Sequence, residues 1–173
     1  MKKLLTFAVA LLAIAGCAQK STTPPDISPK PQSIEWRAEK AFNKTTSFKL
    51  NGADNADADA VALLKKNFDT AGGDVQITIG ERGDSSVEQY QALIPQKSEG
   101  YYLNIEGKNV IIAGNDERGT YYGVQTFLQI ASQPQVMNVT VTDYPSISER
   151  GLVEGYYGNP YSESDRLNLF EFF

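Results

Sequence analysis

Histidine is missing from all 173 residues of the chain. Its absence removes the commonest zinc ligand, the commonest general base and any Ser-His-Asp arrangement. Acid–base chemistry in this chain would fall to Asp, Glu, Tyr or Lys. Cysteine occurs once, at Cys17, so no internal disulfide can form. Basic residues are outnumbered: 16 Lys and Arg stand against 21 Asp and Glu, a net charge of −5. Nucleic acid is disfavoured as a partner, because phosphates call for a basic face. Acidity of this size needs no explanation beyond solubility. Nothing in the sequence asks for a cofactor. Long apolar runs are also scarce, and the one present lies at the start, in MKKLLTFAVALLAIAGC.

That stretch has the layout of a targeting signal. Lys2 and Lys3 give the positive end, and Leu4 to Ala15 the apolar centre, too short for a stable transmembrane anchor. Ile14-Ala15-Gly16-Cys17 resembles the bacterial lipobox. The resemblance implies removal of residues 1–16, lipidation of Cys17, and a bacterial outer-membrane lipoprotein facing the periplasm or the cell surface. An ordinary secretory signal with a chance cysteine is the alternative. Cleavage would also remove Lys2 and Lys3 and take the charge from −5 to −7.

Residues 17–33, rich in Pro, Ser and Thr, lack the apolar residues to build a core and read as a tether. The folded part is expected at 34–143. Ile34–Arg37 and Ser47–Leu50 read as short strands. In the stretch that follows, Val61, Leu64 and Phe68 share one helical face, ended by Gly72-Gly73. Asp54, Asp57 and Asp59 precede it. They suit a positive helix N-terminus better than calcium, because the glycine and distal glutamate of a calcium loop are missing. Asp74–Gly80 alternates as a strand, and 81–98 reads as a polar loop or lid.

EGYYLNIEGKNVIIAG is the clearest hairpin. Tyr101, Leu103 and Ile105 point one way, Tyr102, Asn104 and Glu106 the other, and Gly107-Lys108 makes the turn. A second helix over NDERGTYYGVQTFLQIAS buries Val124, Phe127, Leu128 and Ala131, with Tyr121 extending the stripe. Gly119 and Gly123, costly in a helix, imply close packing on the sheet. Val136–Thr142 is a last alternating strand, which Pro145 cannot continue. The order gives an α+β fold, a mixed sheet with two helices on one face. No convergent polar pocket is legible in 34–143. A new apolar strand is expected at 149–155, and Ser162 with Asp165 reads as the capped start of a helix whose apolar residues are Leu167, Leu169, Phe170, Phe172 and Phe173.

YYLNIEGKNVIIAGNDERGTYYGVQTFLQI followed by VTVTDYPSISERG resembles the N-terminal accessory domain that precedes the catalytic barrel in bacterial β-N-acetylhexosaminidases of glycoside hydrolase families 20 and 84. GLVEGYYGNPYS is similar to the first barrel strand of family 84, the O-GlcNAcase and hyaluronidase-like group. The resemblance covers residues 30–173. It makes 144–173 a junction and the start of an incomplete (β/α)8 barrel. It further implies that Gly155, Tyr156 and Tyr157 contact a bound N-acetylglucosamine. A glycine there lets main chain approach a sugar without a Cβ between. Glu154 has two readings, the acid of a glycosidase or a structural carboxylate; the family does not use it as its acid. Tyr161 stands where tryptophan is common.

The implied reaction is retaining, substrate-assisted hydrolysis of terminal N-acetylglucosaminides. The substrate's acetamido oxygen attacks the anomeric carbon, helped by two adjacent aspartates. No Asp-Asp dipeptide occurs in this sequence, and Gly151–Phe173 is far short of the roughly 250 residues of a barrel. The chain alone is therefore expected to contain no catalytic residue and to be inactive. The partners implied are a glycan or glycoprotein bearing N-acetylglucosamine and, through Cys17, a membrane. The competing reading is a non-catalytic, lipid-anchored glycan-binding or docking module.

Overall fold

The computed structural model describes residues 24–151, 153, 155 and 158–172. Strands form where apolar and polar residues alternate, helices where aspartate starts an apolar 3.6-residue stripe. The elements are β1 (Ser33–Asn43), β2 (Phe48–Asn51), α1 (Ala58–Asn67), β3 (Val75–Glu81), β4 (Tyr101–Glu106), β5 (Asn109–Gly114), α2 (Glu117–Ala131), β6 (Gln135–Asp143) and α3 (Glu163–Phe172), with a short 3-10 turn at Ser85–Tyr90.

One six-stranded sheet runs in the order β1-β6-β4-β5-β3-β2. β2, β3 and β5 are parallel neighbours; β5, β4, β6 and β1 are antiparallel neighbours. Parallel neighbours need a crossover, and α1 supplies it between β2 and β3. The α2 crossover joins β5 to β6, which flank β4, so α2 lies over the middle of the sheet. The fold is thus α+β with a mixed sheet, and both crossover helices lie on one face.

That face holds the main core. Phe48, Leu64, Ile77, Ile79, Leu103, Ile105, Ile112, Val124, Phe127 and Ile130 are all essentially inaccessible. Phe48 sits at its centre, edge-on to Phe42, Phe68 and Phe127 with ring centroids 6.2, 4.7 and 5.7 Å away. Edge-to-face geometry sets the positive ring edge against the negative face of its neighbour. Helix α1 starts on Asp57, whose side chain accepts from the Ala60 N–H at 2.7 Å, and Asp59 lies in its first turn. Two of the three expected aspartates thus serve the helix start. The hairpin turns at Gly107, φ +53°, a conformation open to glycine at little cost.

The structure departs from the sequence reading in several places. β1 runs to Asn43 rather than stopping at Arg37. Register shifts between Trp36 and Phe42 break the alternation that marks a strand in sequence. The loop at 81–98 is anchored, not open. Val87 and Ile94 are buried in a second small core with Tyr102, Ile111 and Ala113, on the sheet face away from the helices. Arg82 ties this loop down, donating to Asn115 Oδ1 at 2.8 Å and to the Gln91 and Ile94 carbonyls at 3.1 and 2.6 Å. The buried face of α2 includes Ile130, Thr120 and Thr126 as well as Val124, Phe127 and Ala131, while Tyr121 and Leu128 are only partly covered. The folded part also begins before Ile34. Ile27 is in the core, and Ser28 exchanges two hydrogen bonds with the Gln129 side chain, at 3.0 and 2.9 Å. The described residues of the expected strand at 149–155 belong to no strand, and Gly151, Val153 and Gly155 are exposed. Among the described residues, none of the six strands of the sheet pairs with them.

Candidate functional site

Of the three residues expected to contact the sugar, Gly155 alone can be placed: it is exposed and in no regular element. Tyr156, Tyr157, Glu154 and Cys17 lie outside the described residues. The segment around Gly155 nevertheless has a consistent character. Ile147, Val153, Tyr161, Leu167 and Phe170 are exposed large apolar side chains, and Val153 is 95% exposed. Isolated exposed apolar residues are ordinary, but here five of the seven large ones among the described residues fall within 147–170. The α3 start has its capping geometry. Ser162 Oγ donates to Asp165 Oδ2 at 2.6 Å, and the Asp165 N–H donates to Ser162 Oγ at 3.2 Å.

The chain reaches this segment through a pinned junction. Gln32 holds its first part. The Gln32 N–H donates to Asp143 Oδ1 at 2.9 Å, and its side-chain amide donates to the Tyr144 carbonyl at 3.2 Å and to Ser146 Oγ at 2.6 Å. Arg150 holds the last part, donating to the Ile147 carbonyl at 2.6 Å and pairing with the Glu99 carboxylate. Arg118 approaches the same carboxylate from α2 at 3.3 Å. Arg150's own hydrogen bond to Glu99, and then one to Tyr122, hold its guanidinium pKa above the ordinary value.

Glu99 is unusual in two ways. It is the one buried charged residue among those described, and its φ of +61° lies in the left-handed region. Such a backbone costs a non-glycine residue on the order of 1–3 kcal/mol and persists only where the surroundings hold it. Here Asp116, the α2 N-cap, accepts from both the Glu99 and Gly119 N–H groups at 2.8 and 2.9 Å. The Gly100 carbonyl accepts from the Asn115 N–H at 2.7 Å. Sequence reading missed Glu99, because a buried acid in a polar loop carries no periodic signal. The arginine of Glu149-Arg150-Gly151 could have pointed to it.

A shallow groove of about 350 Å³ opens beside Arg118, lined by Asp57, Asp59, Glu117, Tyr121 and Tyr122. It is an open surface depression whose rim carries carboxylates and tyrosines, not an enclosed polar pocket. Glu81, nearby, has its carboxyl pKa raised, mainly by burial, although the Asp57 N–H donates to it at 2.8 Å. Burial also raises the Tyr101 phenol well above its usual range, and the Asp143 charge adds to that. Tyr101 shares a 2.7 Å hydrogen bond with Thr126, and the pair sits under α2 as packing.

Known proteins share this architecture. The solved structure of CpGH84B has a TM-score of 0.71 and 27% identity, covering 85% of this chain and 27% of that one. A β-hexosaminidase of Porphyromonas gingivalis is 32% identical over 92 residues, 46% of this chain and 12% of the relative. An α-glucuronidase A of Emericella nidulans is 32% identical over 106 residues, 61% of this chain and 11% of the relative. The chain thus spans about a tenth of these curated relatives and about a quarter of the solved structure. Residues 24–144, well over half of the chain, match glycosyl hydrolase family 20, domain 2, and the chain belongs to that family as a hexosaminidase-type N-terminal domain.

Proposed function

We propose that this chain is the N-terminal part of a secreted, lipid-anchored β-N-acetylglucosaminidase of the family 84 type. The domain by itself does not choose a substrate, since similar regions belong to both a β-hexosaminidase and an α-glucuronidase. The observation that carries the reading is the order of parts: the accessory domain, the pinned exit at 143–150, then GLVEGYYGNPYS with Gly155. The exposed apolar residues from Ile147 to Phe170 support it, because a barrel would cover them. In this reading Gly155, Tyr156 and Tyr157 form one wall of the sugar site, and Cys17 carries the lipid. The acids that orient the acetamido group and protonate the leaving oxygen follow in later barrel strands. O-GlcNAc on protein and hyaluronan-like glycans are both within the proposed substrate class.

The test is a reading of the gene beyond Phe173, followed by expression of the longer product. Continuation into a barrel with an Asp-Asp pair, and release of nitrophenol from an N-acetylglucosaminide but not from a glucuronide, is expected. The 173-residue chain should release none. Turnover by the short chain, or a longer product that cleaves only glucuronides, would overturn the proposal. The groove lined by Tyr121, Tyr122, Asp57, Asp59 and Glu117 favours a second reading, a glycan-binding module. Titration calorimetry of the chain with chitobiose would support that reading if binding is lost in Tyr122→Ala.

A further inference from the structure

We propose that Glu99 is the keeper of a latch that fixes where the chain leaves the accessory domain, with Arg150 as its bolt. Three observations converge on it. The buried charge of Glu99 is held on a left-handed backbone, a costly arrangement that helix α2 enforces through Asp116. Its carboxylate receives two arginines, and Arg150 comes from 51 residues away, at the end of the junction. Beside the latch the main chain is clear of the domain: a Cβ placed on Gly151, the next residue, would meet nothing within 4 Å.

The chemistry gives the two arginines different duties. Arg118 rises from α2 itself, and its side chain remains 76% exposed. It balances the buried carboxylate but cannot hold the junction. The Arg150 side chain is 42% exposed, and it also donates to Ile147, three residues back in its own loop. Pairing it with Glu99 therefore closes the junction as a short loop against the 97–100 turn. Gln32 closes the other end at Tyr144 and Ser146. The junction is held at both ends, so the direction of the segment carrying Gly155 is set by Arg150. Glu99 and Arg150 are positioning residues. If a barrel follows, as proposed above, the latch sets its angle to the domain; the latch itself does not depend on that reading.

Backbone order parameters from 15N relaxation of the 173-residue chain test the latch directly, without any glycosidase assay. Ile147–Gly151 should be rigid, with S² near about 0.8, and should fall below about 0.6 in Arg150→Gln, while β4, β6 and the Gln32-held Ser146 keep their values. Arg150→Lys keeps the charge and should restore most of the order; Arg118→Gln should leave the junction rigid. Raising NaCl from 50 to 500 mM should loosen the junction in the parent chain but not in Arg150→Gln. Equal order parameters in the parent and Arg150→Gln, or a junction already flexible in the parent, would overturn the proposal. Because the Arg150 side chain is partly exposed, its glutamine variant tests the latch even if Glu99→Gln fails to fold.

Discussion

Replacing Gly119 by alanine should weaken the protein, although helix propensity alone argues the reverse. Gly119 lies in the first turn of α2, where Gly→Ala gains about 1 kcal/mol by propensity. A Cβ at this position would stand 2.1 Å from the Gly100 carbonyl oxygen and 3.2 Å from the Glu99 carbonyl carbon. Both obstacles are backbone, so no side chain can swing away. Nor can the turn retreat freely, since Asn115 and Asp116 tie it to the helix through hydrogen bonds of 2.7 and 2.8 Å. Overpacking of this kind costs about 1–3 kcal/mol, and a lost backbone hydrogen bond adds about 1 kcal/mol. Set against the propensity gain, the net loss is about 1–3 kcal/mol, a fall in Tm of roughly 4–12 °C for a domain of this size. Urea unfolding followed through Trp36, the single tryptophan, measures it, with Gly72→Ala as the control. No atom lies within 4 Å of a Cβ at Gly72, so that variant should be neutral or slightly stabilised. A Gly119→Ala protein as stable as the parent would refute the close-packing argument.

Phe48→Ala removes the ring that three other rings surround and should cost about 3–5 kcal/mol, read as a large drop in the urea midpoint; a loss under about 1 kcal/mol would mean the aromatic cluster is not the centre of the core. The Tyr101 phenol has a folded pKa raised above its unfolded value of about 10, so its contribution to stability is complete below pH 10 and is lost as pH rises beyond it. Absorbance at 295 nm should show this tyrosine titrating only with alkaline unfolding, and Tyr101→Phe should reduce the stability loss between pH 9 and 11. Glu81 stands among Asp84, Glu117 and Asp57, and burial raises its pKa, so Glu81→Gln keeps the acceptor for the Asp57 N–H while relieving repulsion. Its thermal midpoint at pH 7 should stay level or rise slightly, and a fall would show that the ionised carboxylate is stabilising.

Sheet and helix were legible because their signals are local. Tyr101, Leu103 and Ile105 alternate, and Gly107 turns, within one window of sequence. Asp57 announced a helix start because a carboxylate satisfies free N–H groups there; Asp116, which caps the second helix in the same way, was not singled out. Gly119 and Gly123 announced their own packing, because a glycine kept inside a helix needs a reason; Gly123 faces Ile112 at a distance too short for a Cβ. What escaped was non-local. Val87 and Ile94 look like stray apolar residues in a polar loop, and only the far sheet face makes them a core. Lys40 and Phe42 fall out of phase because bulges change which face a residue occupies. Glu99 escaped for the same reason, since its partner comes 51 residues later.

The division between what folds here and what acts follows from this geometry. The main core is closed by two helices, and its largest side chains are inaccessible. Similar regions occur in both a hexosaminidase and a glucuronidase, so the fold of the domain does not by itself name a sugar. Among the described residues, the junction from Asp143 to Arg150 is where the domain holds the onward chain. A glycine such as Gly155 can line a sugar site only if its main chain is held to within a fraction of an ångström. Among the described residues, Arg150 is the last side chain before it that is bonded to the domain. The strain held at Glu99 thus has a purpose that packing alone does not supply: it gives the exit one direction.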